Sequence, residues 1–167
     1  MPEETQHYVQ GQWRLVTDQT GVTFNWDFWE VCQPRRSTYP ACRAVIAASF
    51  QRPDAVADMY EAIQRAYYQE ARNPSDGLTL TALSGELEPS LDEGQFTEDL
   101  VSEAAEAALQ EGFNLRRLLG VREFPSLVLA EEGSEPTWIV KGWADLDTVN
   151  TRLEAAGVSL AGKREIG

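Results

Sequence analysis

Three residue types could carry chemistry in this chain: two cysteines, Cys32 and Cys42, a pair of adjacent arginines, Arg35 and Arg36, and one histidine, His7. Two thiols exchange disulfides efficiently as Cys-x-x-C at a helix N-terminus, because one thiolate attacks and the other resolves. Cys32 and Cys42 stand ten positions apart, which is not that spacing. Cys42 falls near the start of an expected helix, where unsatisfied N–H groups and the nearby Arg35, Arg36 and Arg43 would lower a thiol pKa. It is therefore the candidate reactive thiol. The plainer reading makes both cysteines small core residues, since unpaired Cys is among the most buried types. A bridge between them is sterically open, but in a reducing compartment two free thiols are the default.

Arg35 and Arg36, just ahead of that helix, could hold a carboxylate or phosphate of a substrate. In an acidic chain the competing reading pairs them with the protein's own Asp and Glu. His7 reads as a surface residue. With one histidine, a Cys/His zinc site cannot reach four ligands without carboxylates, so no metal and no cofactor is expected. The sequence has no Gly-x-Gly-x-x-Gly, P-loop or His-Glu-x-x-His motif, and no Ser/His/Asp triad can be nominated.

The elements that must position these groups follow from pattern. At 167 residues with 43% hydrophobic content, the chain can bury a sizeable core. Its net charge of −13 repels nucleic acid and disfavours an anionic membrane surface. No run of about 18 apolar residues exists for a membrane span. The acidic start, Met1-Pro2-Glu3-Glu4, lacks the basic and apolar stretches of a secretory signal, so the expected location is the cytoplasm.

Val9, Trp13 and Val16 share one face of a helix from about Glu3 to Thr17, stopped by Asp18 to Gly21. Val22 to Phe28 alternates apolar and polar, as a half-buried strand or a packed extended loop would. Ser37 or Thr38 can cap a helix from Tyr39 to Phe50, with Pro40 in its first turn; its small residues predict a central, buried element. Another helix should run from Pro53 to about Arg72, with Val56, Met59, Tyr60, Ile63 and Ala66 at helical spacing. A shorter one spans Leu78 to Leu87, and a long one Phe96 to Leu119, with Leu100, Ala104, Ala108 and Leu115 inward. Ser126 to Ala130 and Thr137 to Val140 then read as a hairpin. Asp145 can cap a last helix with Leu146, Val149 and Leu153 inward. Trp26, Phe28, Trp29, Trp138 and Trp143 read as core rather than ligand platforms.

The stretch Leu119 to Leu129, with Phe124-Pro125 leading into a strand, an acidic turn, a second strand, Gly142 and a final helix, resembles the second half of a thioredoxin fold. The upstream run Cys32 to Ala44, with Pro-Arg-Arg-Ser-Thr-Tyr-Pro-Ala-Cys-Arg-Ala at its centre, is similar to DsbA-like proteins of the FrnE-like or kappa-transferase-like type. That resemblance covers roughly Tyr8 to Leu153. It implies an α/β, thioredoxin-like fold with a large helical insertion, whose N-terminal strand–helix–strand unit with Cys-x-x-C is missing or truncated. Residues 1–38 would form an N-terminal helix and extended segment, 39–119 the insertion, and 120–167 the C-terminal part. Two explanations for the missing unit stay open: a start further upstream, or a shortened relative that lost its redox motif.

The resemblance also makes Phe124-Pro125 a cis-proline loop that pairs with bound substrate, placing Phe124 and Pro125 with Arg35 and Arg36 as substrate-binding candidates. A proline there lacks an N–H and turns the chain sharply, which exposes backbone groups to a partner strand. The implied activity is thiol–disulfide oxidoreductase or isomerase chemistry on a peptide or protein thiol, with this chain inactive in dithiol chemistry by itself. A non-catalytic peptide- or partner-binding module and a glutathione-binding, kappa-transferase-like protein are the alternatives. A hairpin short of strands would leave an open sheet edge, which predicts self-association or cover by Val22 to Phe28.

Overall fold

The computed structural model describes residues 2–33, 37–131 and 133–159. The chain divides into two compact units, Met1–Gln110 and Glu111–Gly167.

The first unit is helical. α1 (Glu3–Thr20) starts with acidic Glu3 and Glu4 against its positive end, and stops where the N–H of Gly21, at φ 73°, donates to Thr17 O. α2 (Phe28–Val31) is a single turn. α3 (Tyr39–Gln51) has proline in its first turn and buries Ala44, Ala47 and Ala48. α4 (Ala55–Tyr68), α5 (Gly77–Gly85) and α6 (Glu93–Leu100) complete the bundle, and α4, α5 and α6 all pack on α3. The three alanines make this possible: with only a methyl on the contact face, the backbones approach closely. Met59, Leu80, Leu83 and Phe96 are fully buried around them.

Two polar clamps at the end of α3 fix the loop that leads into α6. The Gln51 side-chain amide donates to Asp92 O at 3.0 Å and accepts from Asp92 N at 2.9 Å. Arg52 donates to Pro89 O at 2.8 Å and pairs with Asp54 and Asp58. Asp92 in turn caps α6 by accepting from Gln95 N.

The expected Phe96–Leu119 helix is two helices. Ser102 breaks it: its hydroxyl donates to Asp99 O and accepts from Ala105 N, which ends α6 and caps α7 (Glu103–Leu118). The break rotates the later face, so Ala105 and Leu109 are buried, while Ala104 and Leu115 point outward. α4 likewise ends four residues short of Arg72, and its inner face is Ala55, Met59, Ala62 and Ala66, leaving Val56 and Tyr60 exposed.

Val22 to Phe28 forms no strand. It is the extended loop of the two readings, held by Asn25 N donating to Tyr68 O, by the Thr17 hydroxyl and Gln10 amide donating to Val22 O and Trp26 O, and by aromatic packing. Trp13 lies between Phe24 and Trp29, both stacked at 5.0 Å, with Phe28 edge-on. Val16, expected inward on the same helix, is exposed.

The second unit is built on the hairpin β1 (Ser126–Leu129) and β2 (Thr137–Lys141), antiparallel, with Ser126 opposite Lys141 and Leu129 opposite Thr137. The register slips between Leu127 and Val128, leaving Ile139 as an extra residue on β2. A bulge of this kind lets two consecutive side chains turn to one side, and Ile139 and Val140 are both buried. α8 (Leu146–Ala155) packs on β2. Its Arg152 donates to Ile139 O at 3.0 Å and so satisfies the carbonyl that the bulge displaces. Leu146, expected inward, is exposed; Val149 and Leu153 are half-buried.

Candidate functional site

The thiols come first. Cys32 follows α2 and is buried beside Trp13 and Phe28, and burial pushes its thiol pKa up. Cys42 is exposed on the first turns of α3 and is also free. Its pKa is raised, not lowered: desolvation of the sulfur outweighs the pull of Arg43 and of its own backbone N–H. The expected activation at the helix start therefore does not occur. Arg43 is engaged elsewhere, donating to Glu106 at 2.6 Å, and that carboxyl is held below its usual range by Gln110 and Arg43. An open groove of about 300 Å³ beside this ion pair is lined by Arg43, Val101, Ser102, Glu103 and Glu106. Two of its charged groups, Arg43 and Glu106, are already paired with each other. Arg35 and Arg36 lie outside the described residues.

The proline loop is organised differently. α7 ends in a Schellman turn: Gly120, at φ 68°, donates to Arg117 O, and Val121 N donates to Arg116 O. The chain then enters Arg122-Glu123-Phe124-Pro125, all four exposed. The Phe124–Pro125 peptide bond is cis. The Ser126 hydroxyl donates to Glu123 O at 2.7 Å, so the two residues that bracket Phe124-Pro125 are tied to each other. Pro125 offers no N–H, and the side chain of Phe124 is 72% exposed.

Sequence reasoning overlooked the other flank of the same hairpin end. Pairing of Ser126 with Lys141 sets the segment after β2 beside the proline loop. There Gly142, at φ 76°, turns the chain, and Trp143 and Leu146 are both largely exposed. The signal was period two: Trp143 stands two residues after the charged, exposed Lys141, so strand alternation puts both on the outward side. Among the described residues, then, the proline loop gathers exposed apolar groups on a tethered backbone, whereas at Cys42 desolvation outweighs the support of Arg43 and of the backbone N–H.

A family model described as Thioredoxin matches residues 6–151. Among solved structures, a protein from Nitrosomonas europaea provisionally named a protein disulfide isomerase is 27% identical, with a TM-score of 0.81 over 93% of this chain and 74% of that one. The cytosolic disulfide reductase DsbM from Pseudomonas aeruginosa shares the fold at 23% identity and a TM-score of 0.72, over 95% of this chain and 80% of that one. No curated protein sequence matches the chain.

Proposed function

On the premise that the chain belongs to the thioredoxin family, we propose that it takes part in thiol–disulfide exchange as the substrate-holding side of a DsbA-like oxidoreductase or isomerase. The fold is thioredoxin-like and mostly helical, with a two-stranded sheet among the described residues. One observation carries the proposal: the tethered, exposed Phe124-Pro125 loop at the head of β1. A substrate polypeptide lies extended against that loop, with its backbone pairing to groups the proline leaves free.

The sequence as it stands contains no Cys-x-x-C. A thiolate must attack the substrate disulfide, release one sulfur and form a mixed disulfide, which a second thiol then resolves. Cys32 is buried, and desolvation raises the pKa of both thiols, so neither is activated as that attacking group. The chain therefore binds substrate and does not turn it over alone. The test is an insulin-reduction assay with dithiothreitol as the electron source, run beside a peptide-binding measurement. Binding that is lost in Phe124→Ser and kept in Cys42→Ser, with no turnover above the dithiothreitol background, is the expected result. Turnover that disappears in Cys42→Ser would overturn it.

The proposed substrates are peptide or protein thiols, encountered in the cytoplasm. No helix among the described residues is long and apolar enough to cross a membrane. β1 has one neighbour, β2, among the described residues, and its other edge supports the proposal of self-association. Light scattering that gives one monomeric mass across concentration would remove that part of the proposal.

A further inference from the structure

We infer that Tyr39, Leu78 and Val101, at one end of the helical bundle, form with the groove beside Arg43 a docking surface for a basic segment of a partner protein. Large aliphatic side chains of that segment cover the three, and one of its lysines or arginines enters the groove toward Glu103. The surface lies wholly within the first unit and does not depend on the reading of the proline loop.

The three residues belong to one patch. Tyr39 and Arg43 stand four residues apart on α3, one above the other. Arg43 and Val101 line the same groove. Val101 follows Leu100, whose side chain lies 4.0 Å from where a Cβ on Gly77 would stand, and Leu78 follows Gly77. Tyr39, Leu78 and Val101 are 54%, 82% and 81% exposed. A single exposed apolar residue is ordinary; three large ones around one groove mark a protein contact. Their backbone is fixed. The Ser75 hydroxyl donates to Ser37 O at 2.8 Å, which ties the entry of α5 to the entry of α3. Asp76 caps α5 just before Leu78, accepting from Thr79 N at 3.2 Å and from the Thr79 hydroxyl at 3.1 Å. Val101 sits against Ser102, whose hydroxyl bridges Asp99 O and Ala105 N. Side chains held out by a fixed backbone lose little freedom on binding, which suits an anchor site.

Charge decides the occupant. Within the groove Arg43 is neutralised by Glu106, and Glu103 has no ion pair or hydrogen bond among the described residues. Around it, residues 1–110 carry 18 acidic and 7 basic side chains. That field repels nucleic acid, an anionic membrane and, at long range, a second copy of a chain of net charge −13, and it draws in a basic partner. At about 300 Å³ the groove is at the small end for a ligand site and has room for a side chain. A lysine or arginine lays its aliphatic stem along Val101 and brings its charge to Glu103. The apolar residues lie at the ends of three helices, α3, α5 and α6, a spread that a polypeptide covers and a small molecule does not.

The experiment uses the full chain and three fluorescein-labelled decapeptides in anisotropy titrations: one of Gly, Lys and Leu, a twin with Ser for each Leu, and a twin with Gln for each Lys. The lysine–leucine peptide is expected to bind about tenfold more tightly than either twin. Leu78→Ser and Val101→Ser should each weaken it about fivefold while leaving the Lys–Ser twin unchanged. Glu103→Gln should weaken both lysine peptides and lessen their sensitivity to salt, whereas Glu61→Gln, an equal loss of charge on α4, should change neither. All four positions are exposed, so an unchanged urea midpoint verifies folding. Equal binding of the lysine–leucine and Lys–Ser peptides, or a Glu61→Gln effect as large as that of Glu103→Gln, reduces the surface to a diffuse acidic field and overturns the inference. A leucine preference that survives both serine substitutions, or no binding at all, overturns it as well. A light-scattering mass that rises with concentration in the wild type and not in Val101→Ser makes a second copy the occupant and overturns the basic partner.

Discussion

The two units of the chain differ in the size of the core each buries, although both expose large apolar side chains. In Met1–Gln110, Phe96, Met59, Leu80 and Leu83 are sealed completely around the alanine face of α3. In Glu111–Gly167, only Ile139 and Val140 are buried among the described residues, while Leu115, Leu118, Phe124, Trp143 and Leu146 are exposed. Charge divides the same way: residues 1–110 hold 18 acidic and 7 basic side chains, residues 111–167 hold 9 and 7. The first unit has the composition of a self-sufficient core under a repelling acidic surface. The second has a thinner buried core and a near-neutral exterior that repels another chain less. Stability is thus concentrated in the first unit.

The sharpest way to break this contrast is to cut into both cores. Phe96→Ala removes a ring with no exposed surface, and it should destabilise the protein by about 3–5 kcal/mol in urea unfolding. A loss under ~1 kcal/mol would mean that the first unit is not the stable one. Ile139→Ala should cost about 2 kcal/mol, at the low end for such truncations, because half-buried neighbours can settle into the space. If it equals the Phe96 effect, the second core is not thin.

Arg152→Ala tests whether the bulge needs its side-chain partner. The Ile139 carbonyl loses a charge-assisted hydrogen bond at a partly buried site, and about 1–2 kcal/mol should follow. Hydrogen exchange that speeds up in α8 and β2 alone would localise the loss, and uniform acceleration would argue against it.

The capping of α8 by Asp145 has a pH signature. The Thr148 N–H, and then its hydroxyl, hold the Asp145 carboxyl below the usual carboxylate range. A depressed folded-state pKa gives stability that is full above the unfolded value and lost as pH falls through the folded one. The melting difference between wild type and Asp145→Ala should therefore be constant near neutrality and shrink below about pH 4. A difference that persists in strong acid would assign it to something other than the charged cap. Smallest of all, Phe124→Ser should move stability by less than about 0.5 kcal/mol while it removes peptide binding. A large stability change there would show that Phe124 belongs to a core.

Where the local code was strong, the elements could be read directly. Asp145, Asp92 and Asp76 each accept an N–H three residues on, the pattern that marks a helix start. The hairpin lies within a residue of its expected bounds, since two apolar runs around Glu131 to Pro136 leave little choice. The α6–α7 break was illegible because Val101-Ser102 interrupts neither periodicity nor helix propensity strongly; the serine caps only once the chain has turned. Of the candidate site, Phe124 and Pro125 were legible through their resemblance to a known loop. Trp143 and Leu146 were not, because an aromatic after a strand and a leucine opening a helix both look like core.

Composition, caps and period-two or helical patterning are properties of neighbouring residues, so the amino-acid order alone settled most of the helices, the hairpin, the acidity and the absence of a paired redox motif. Which face of each element turned inward was decided by packing. The bulge at Ile139 turned it and Val140 inward together, and desolvation by surrounding atoms raised Cys42 where its place near a helix start argued for the reverse. Exposure and pKa depend on what lies across space from a residue, and that is set only when the chain has folded.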